Sequence, residues 1–129
     1  MLWSNDRILI WLGHLEKRNL QVLKLFDIYL TIVLALIILI GMLAPISEVA
    51  TAPAGTDKII HIVAFTALVF PLALTRRIGL VPLFIFASLF GCITEVMQTS
   101  VGRNADINDW FADIFGLSCG IGLAKIYRL

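Results

Sequence analysis

Residues 103–116 read RNADINDWFADIFG, and on this stretch hangs whether the chain crosses a membrane a fourth time or ends in an aqueous helix. Asp106, Asp109 and Asp113 stand just before, and then inside, a segment that otherwise dissolves in lipid. The residues after Asp113 decide between the two. Ile114 to Ala124 is apolar on every face, and a helix apolar all round needs burial or a bilayer. Ile107 to Tyr127 is therefore read as a span, the weakest of four by hydropathy.

The rest of the chain supports a lipid environment. Of its 129 residues, 60% are hydrophobic and 15% charged, with mean hydropathy +0.96. Ordinary soluble domains are roughly 45–50% apolar and about 25% charged. Leu25 to Ala44 is the surest span: about 20 residues at 1.5 Å each cross a hydrocarbon core of roughly 30 Å. Ile59 to Leu74 carries His61 and is expected to kink or thin at Pro71. Ile78 to Met97 has Pro82 near its start and Gly91 where a neighbour can approach closely. Residues 1–24 alternate Trp3, Ile8, Trp11, Leu12 and Leu15 with Arg7, His14, Lys17 and Arg18 at helical spacing, the pattern of an amphipathic interfacial helix with a solvated His14. The expected fold class is an all-α membrane protein: four transmembrane helices over residues 25–129, preceded by the amphipathic segment 1–24. Asp6, Glu16, Lys17 and Arg18 interrupt the N-terminus, so no cleaved signal peptide is expected. Cys92 and Cys119 lie singly in different apolar segments and read as packing residues.

The loops assign sides. Arg7, Lys17, Arg18 and Lys24 precede the first span, Arg76 and Arg77 join the second to the third, and Lys125 and Arg128 close the fourth. By the positive-inside rule both termini are cytoplasmic. Lys58 and Arg103 fall on the other side, with Glu48, Asp57, Glu95, Asp106, Asp109 and Asp113 at or near the outer helix ends. No basic tract suggests nucleic acid.

Three short motifs meet at that outer side: Asp57-Lys58-x-x-His61, Glu95-x-x-Gln98, and Arg103-x-x-Asp106-x-x-Asp109-x-x-x-Asp113-x-x-Gly116. Spacings of three and four turn each into one polar helix face. Counted from the outer helix ends, His61 lies roughly 6 Å deep, Glu95 roughly 5–8 Å and Asp113 roughly 9 Å. A charge at the bilayer centre costs about 2.5–3.5 kcal/mol on insertion scales, so these groups are expected to face one another. Plainer roles compete at the rim. Asp106 and Asp109 have capping-box spacing, Asp57 suits a helix start, and Arg103 suits a neighbouring carboxylate. Gly116 and Gly120 read as a close-packing G-x-x-x-G.

In that order the motifs resemble the VanZ-like family of small bacterial membrane proteins, over about residues 57–124. The resemblance implies a multi-span helical protein of the bacterial plasma membrane, in a family whose name-giving member is associated with teicoplanin resistance. It also implies a shared polar site at Asp57, Lys58, His61, Glu95, Gln98, Arg103, Asp106, Asp109 and Asp113. Asp113 stands where many members have Asn, which adds a charge.

Three functions fit these residues. The favoured one is recognition of an envelope ligand, whether lipid head group, lipid-linked glycan or glycopeptide, in an outward-facing polar site. An enzyme would use His61, Glu95 and Asp113 as acid/base groups on a lipid-linked envelope precursor, since no nucleophile motif is present. A transporter or proton relay is third, and only Thr31, Thr66, Thr75 and Ser88 are expected to line the inner halves of the spans. The motifs lack any diagnostic metal spacing, so neither metal nor cofactor is expected.

Overall fold

The computed structural model describes residues 5–44, 53 and 55–128; before residue 25, side chains are described only for His14 and Val22. Trp3 and Glu48, and the side chains of the N-terminal apolar stripe, lie outside the described residues. His14 is exposed, as a solvated histidine should be.

The chain forms four helices in order: α1 (Asn5–Leu43), α2 (Thr56–Thr75), α3 (Leu80–Gln98) and α4 (Ile107–Tyr127), with a 3-10 turn at Thr99–Val101 before α4. Three helical segments are long and apolar enough to cross a membrane: Leu25–Leu43 in α1, Thr56–Thr75, which is α2, and Leu80–Val101, which is α3 with the 3-10 turn after it. At 21 residues α4 has the length but, with Asp109, Asp113 and Lys125 in it, is not among the three. The sequence reading of four apolar spans is thus met by three and an acidic fourth helix. The N-terminal segment also differs from expectation. α1 is one unbroken helix of 39 residues, roughly 58 Å and about twice a hydrocarbon core, so no helix break separates residues 5–24 from the span.

Local chemistry sets the helix limits. α2 continues through Pro71 and ends at Arg76, whose φ of 49° is left-handed and closes the helix without glycine. Gly79 precedes α3, and Pro82 sits in its first turn, where a backbone N–H has no intrahelical partner to lose. Asp106 caps α4 by accepting from the Asn108 N–H at 2.8 Å.

α2 lies at the centre, packed most extensively on α4. The reason is the G-x-x-x-G stripe: a Cβ at Gly116 would stand 2.5 Å from the Ile62 carbonyl oxygen, and one at Gly120 2.5 Å from that of Thr66. Only glycine permits this approach. Thr66 Oγ1 then donates to the Gly116 carbonyl at 3.0 Å. Phe65, Val69, Leu117 and Ala124 fill the seam and are wholly buried, with Leu68, Leu72, Leu83 and Ala87 around them. The outward faces are apolar too: Phe26, Ile32, Leu36 and Ile40 on α1 and Val81, Phe86, Leu89 and Ile93 on α3 are exposed. Water would not tolerate that much apolar surface, and lipid does.

One polar contact at the opposite end escaped the sequence reading. Asp27, inside the first span, is buried and accepts from Thr75 Oγ1 and, at 3.3 Å, from Arg77 Nη1. It ties α1 to the α2–α3 turn.

Candidate functional site

At the end of the bundle that holds the α3–α4 connection, all nine sequence-selected residues collect. They form two layers. The rim is organised by Lys58, whose ammonium lies 2.7 Å from Asp109, 3.2 Å from Asp106 and 3.8 Å from Asp57. Lys58 is thus the cation that lets three carboxylates crowd one helix junction. The Asp106 carboxyl is held below its usual range, first by the Asn108 backbone N–H and then by Lys58.

Below the rim, His61 from α2, Glu95 from α3 and Asp113 from α4 converge, each at most 5% exposed. His61 Nδ1 lies 2.8 Å from Asp113 Oδ1 and 3.9 Å from Glu95 Oε1. Each helix supplies one group because the three polar faces turn inward at the same depth. Gly91 makes the room, since a Cβ there would stand 2.7 Å from Asp113 Oδ2 and 3.2 Å from the Phe65 ring. Glycine at this position therefore lets a carboxylate lie against the backbone of α3.

Satisfaction of this layer is incomplete. Glu95 Oε2 accepts the Asp106 backbone N–H at 3.2 Å, but Glu95 Oε1, Asp113 Oδ2 and Gln98 Nε2 are buried with no hydrogen-bond partner among the described residues. Gln98 is 1% exposed, on the same face of α3 as Glu95. Thr94 is also buried but satisfied, donating to the Gly91 carbonyl at 2.8 Å.

Several plainer roles sort themselves out. Asp106 is the N-cap of α4, as its spacing suggested. Asp109 does not close the capping box; it binds Lys58, and Glu95 takes its place on the N-cap N–H. Asp57 is not a cap, because the residue before α2 is Gly55 at φ 89°, with Asp57 in the first turn beyond it. Arg103 pairs with no carboxylate among the described residues and donates from Nη1 to the Met42 carbonyl at 3.2 Å. A cation suits the end of α1, where the last carbonyls have no intrahelical partner.

Beside this cluster, between α1 and α2, lies a half-open cavity of about 270 Å³. Ile37, Ile38, Gly41, Met42, Ile60 and Ala64 form its apolar wall, while Asp57, His61 and Arg103 line it with polar groups. Sequence reasoning missed the α1 side of this site. Only Gly41, a small residue near a helix end, hinted at it.

Fold and site together define a helical membrane protein with a buried ionisable cluster at one end of its bundle. The VanZ/LLP1 family model matches residues 14–128, and the chain belongs to that family. The match begins well before residue 57, so the end of the amphipathic segment and all of the first span are part of the family's unit. No curated protein and no solved structure matches the chain.

Proposed function

We propose that the protein is a four-span component of the bacterial plasma membrane that recognises an envelope amphiphile in the cavity between α1 and α2. The carrying observation is the two-sided lining of that cavity, with an aliphatic wall along α1 and α2 meeting Asp57, His61 and Arg103 at its polar part. A lipid chain fits the first surface and a head group or lipid-linked glycan the second. Its volume is close to the lower end of the roughly 300–1,000 Å³ of small-molecule sites. α4 serves as the fourth span in this reading, because it exposes Phe111, Phe115, Leu123 and Ile126 while burying Asp109 and Asp113. Eight of the ten Lys and Arg residues then lie on the cytoplasmic side with both termini, and the cavity opens outward. Residues 5–24, which continue α1 beyond the span, carry the amphipathic pattern out of the bilayer on the cytoplasmic side. Glycopeptide resistance would result if the bound amphiphile is the antibiotic or its lipid-linked target.

Native mass spectrometry of the purified protein tests this. A co-purifying envelope lipid, glycolipid or glycopeptide is expected on the wild type, lost from Arg103→Ala and from an Ala64→Phe variant that fills the cavity. Retention of the same ligand by both variants would remove the cavity from the reading.

A specific contact favours a second reading, acid/base catalysis on the bound amphiphile. His61 lines the cavity with Nδ1 held by buried Asp113, which leaves Nε2 as the atom to exchange a proton. No Ser, Thr or Cys lines the cavity among the described residues, so water would be the attacking group. Turnover of envelope lipids that vanishes in His61→Ala would establish it, and equal rates would end it. A side-to-side relay is less well supported, since buried Phe65, Leu68, Val69, Leu72 and Leu117 separate the outer cluster from Asp27.

A further inference from the structure

We infer that His61, Glu95 and Asp113 bind one divalent transition-metal cation, of the Mn²⁺ or Zn²⁺ type, enclosed between α2, α3 and α4. No metal-type spacing is visible along the chain because the three ligands come from three helices. Folding brings one ligand atom of each within 4.8 Å of the others.

Geometry supports a cation in the gap. Metal–nitrogen and metal–oxygen bonds run about 2.0–2.2 Å, so two ligands at 90–110° stand roughly 3.0–3.4 Å apart. The observed 2.8 Å and 3.9 Å from His61 Nδ1 bracket that separation. Small side-chain rotations bring both into range.

The unpartnered oxygens favour a bound cation. Glu95 Oε1 lies 3.9 Å from His61 and is buried without a hydrogen bond among the described residues, and Asp113 Oδ2 is in the same condition. A buried carboxylate oxygen left bare is costly, and buried charges are normally paired or metal-bound. Lys58 does not neutralise them, being held by Asp106, Asp109 and Asp57 at the rim. A divalent cation offsets both carboxylates at once. Imidazole with carboxylates selects a first-row divalent ion over Mg²⁺ or Ca²⁺, which favour all-oxygen sites. Protons on the carboxylates are the competing occupants, and they make opposite predictions.

The test uses the full chain purified in detergent, stripped with chelator and titrated with Mn²⁺ alone and Zn²⁺ alone. Mn²⁺ is followed by electron paramagnetic resonance and Zn²⁺ by competition with a chromophoric chelator. One site per chain is expected, with a nitrogen coupling to bound Mn²⁺ from His61 and a rise in melting temperature on metal addition. Outer-shell partners alone are worth about 10–100-fold in metal affinity. Glu95→Gln and Asp113→Asn, which keep the shape of the side chains, should therefore weaken binding by at least that much. Gly122→Ala, whose added Cβ meets nothing within 4 Å, should leave the stoichiometry at one. Failure of the wild type to bind either ion stoichiometrically would overturn the inference, as would unchanged affinity in both isosteric variants or a bound Mn²⁺ without nitrogen coupling. Protonated carboxylates would show themselves as a Glu95→Gln protein that melts no lower than wild type and ignores both metals while wild type ignores them too. His61 is common to both readings, so failure of the amphiphile reading is recognised separately, by ligand retention in Arg103→Ala and Ala64→Phe, neither of which changes one of the three proposed metal ligands.

Discussion

Replacing Gly116 by alanine tests the seam on which the buried cluster depends. Its Cβ would meet the Ile62 carbonyl oxygen at 2.5 Å, with the Ile62 carbonyl carbon and Cα both at 3.1 Å. Those are backbone atoms and cannot rotate away. To regain an ordinary contact of 3.4 Å, α4 must recede from α2 by about 0.9 Å, and gaps of that size forfeit roughly a quarter to a half of each dispersion contact along the seam. Overpacking of this kind costs about 1–3 kcal/mol. The same displacement stretches His61–Asp113 from 2.8 Å to about 3.7 Å, beyond a hydrogen bond, and a bond to a charged group contributes a further 1.5–3 kcal/mol or so. At roughly 3–5 °C per kcal/mol for a chain this size, Gly116→Ala should melt about 10 °C or more below wild type in detergent. Gly122→Ala is the control. It has no atom within 4 Å of its added Cβ and should hold or slightly raise the melting temperature through better helix propensity. Equal melting temperatures for the two variants, followed by intrinsic tryptophan fluorescence, would refute the reasoning.

Asp27→Ala should lower the melting temperature by the equivalent of about 1.5–3 kcal/mol, since it frees Thr75 and Arg77 from a buried acceptor; Thr75→Val should reproduce part of the loss. Trp110→Phe should cost about 1 kcal/mol in the same assay, because the indole Nε1 donates to the Ser88 carbonyl at 3.1 Å and phenylalanine has no donor. Asp106 gives a pH signature. Its folded carboxyl titrates below the unfolded value of about 3.9, so its contribution is complete above that value and is lost as pH falls through the lower folded one. The acid limb of the melting profile should therefore flatten in Asp106→Asn, which still caps α4 but no longer titrates.

Periodicity made the helices legible because lipid demands long apolar runs, and three such runs are unmistakable in the sequence. The polar end was legible for a related reason. His61, Glu95 and Asp113 sit at similar depths in otherwise apolar segments, and a shared depth is readable from spacing alone. Partner choice was not. Glu95 replaces Asp109 on the N-cap N–H of α4 because α3 passes within reach, a fact of tertiary approach that no local spacing encodes. Arg103 finds a carbonyl where sequence suggested a carboxylate, for the same reason. Asp27 was hidden by the long apolar run after it, and its partners Thr75 and Arg77 lie about 50 residues away. The unbroken α1 was missed because the change from amphipathic to apolar pattern marks a change of solvent and leaves helix propensity unchanged.

Glu95 shows how the two layers share one side chain. Oε2 accepts the N–H of Asp106 and so fixes the start of α4, while Oε1 lies 3.9 Å from His61 without a hydrogen bond among the described residues. The two oxygens can be separated by substitution. Glutamine can keep its carbonyl oxygen on the Asp106 N–H and turn its amide toward His61, so α4 should start where it does now and Glu95→Gln should melt within a few degrees of wild type. Alanine removes both functions and leaves a part-buried N–H without a partner, at a cost of about 1–3 kcal/mol besides the lost packing. Metal affinity should not parallel that order, since both variants lack the Oε1 carboxylate oxygen. Stability divided between glutamine and alanine, with metal binding lost in both, would assign the oxygens as the geometry does. Equal destabilisation by glutamine and alanine would mean that charge at Glu95, and not its acceptor oxygen, positions α4.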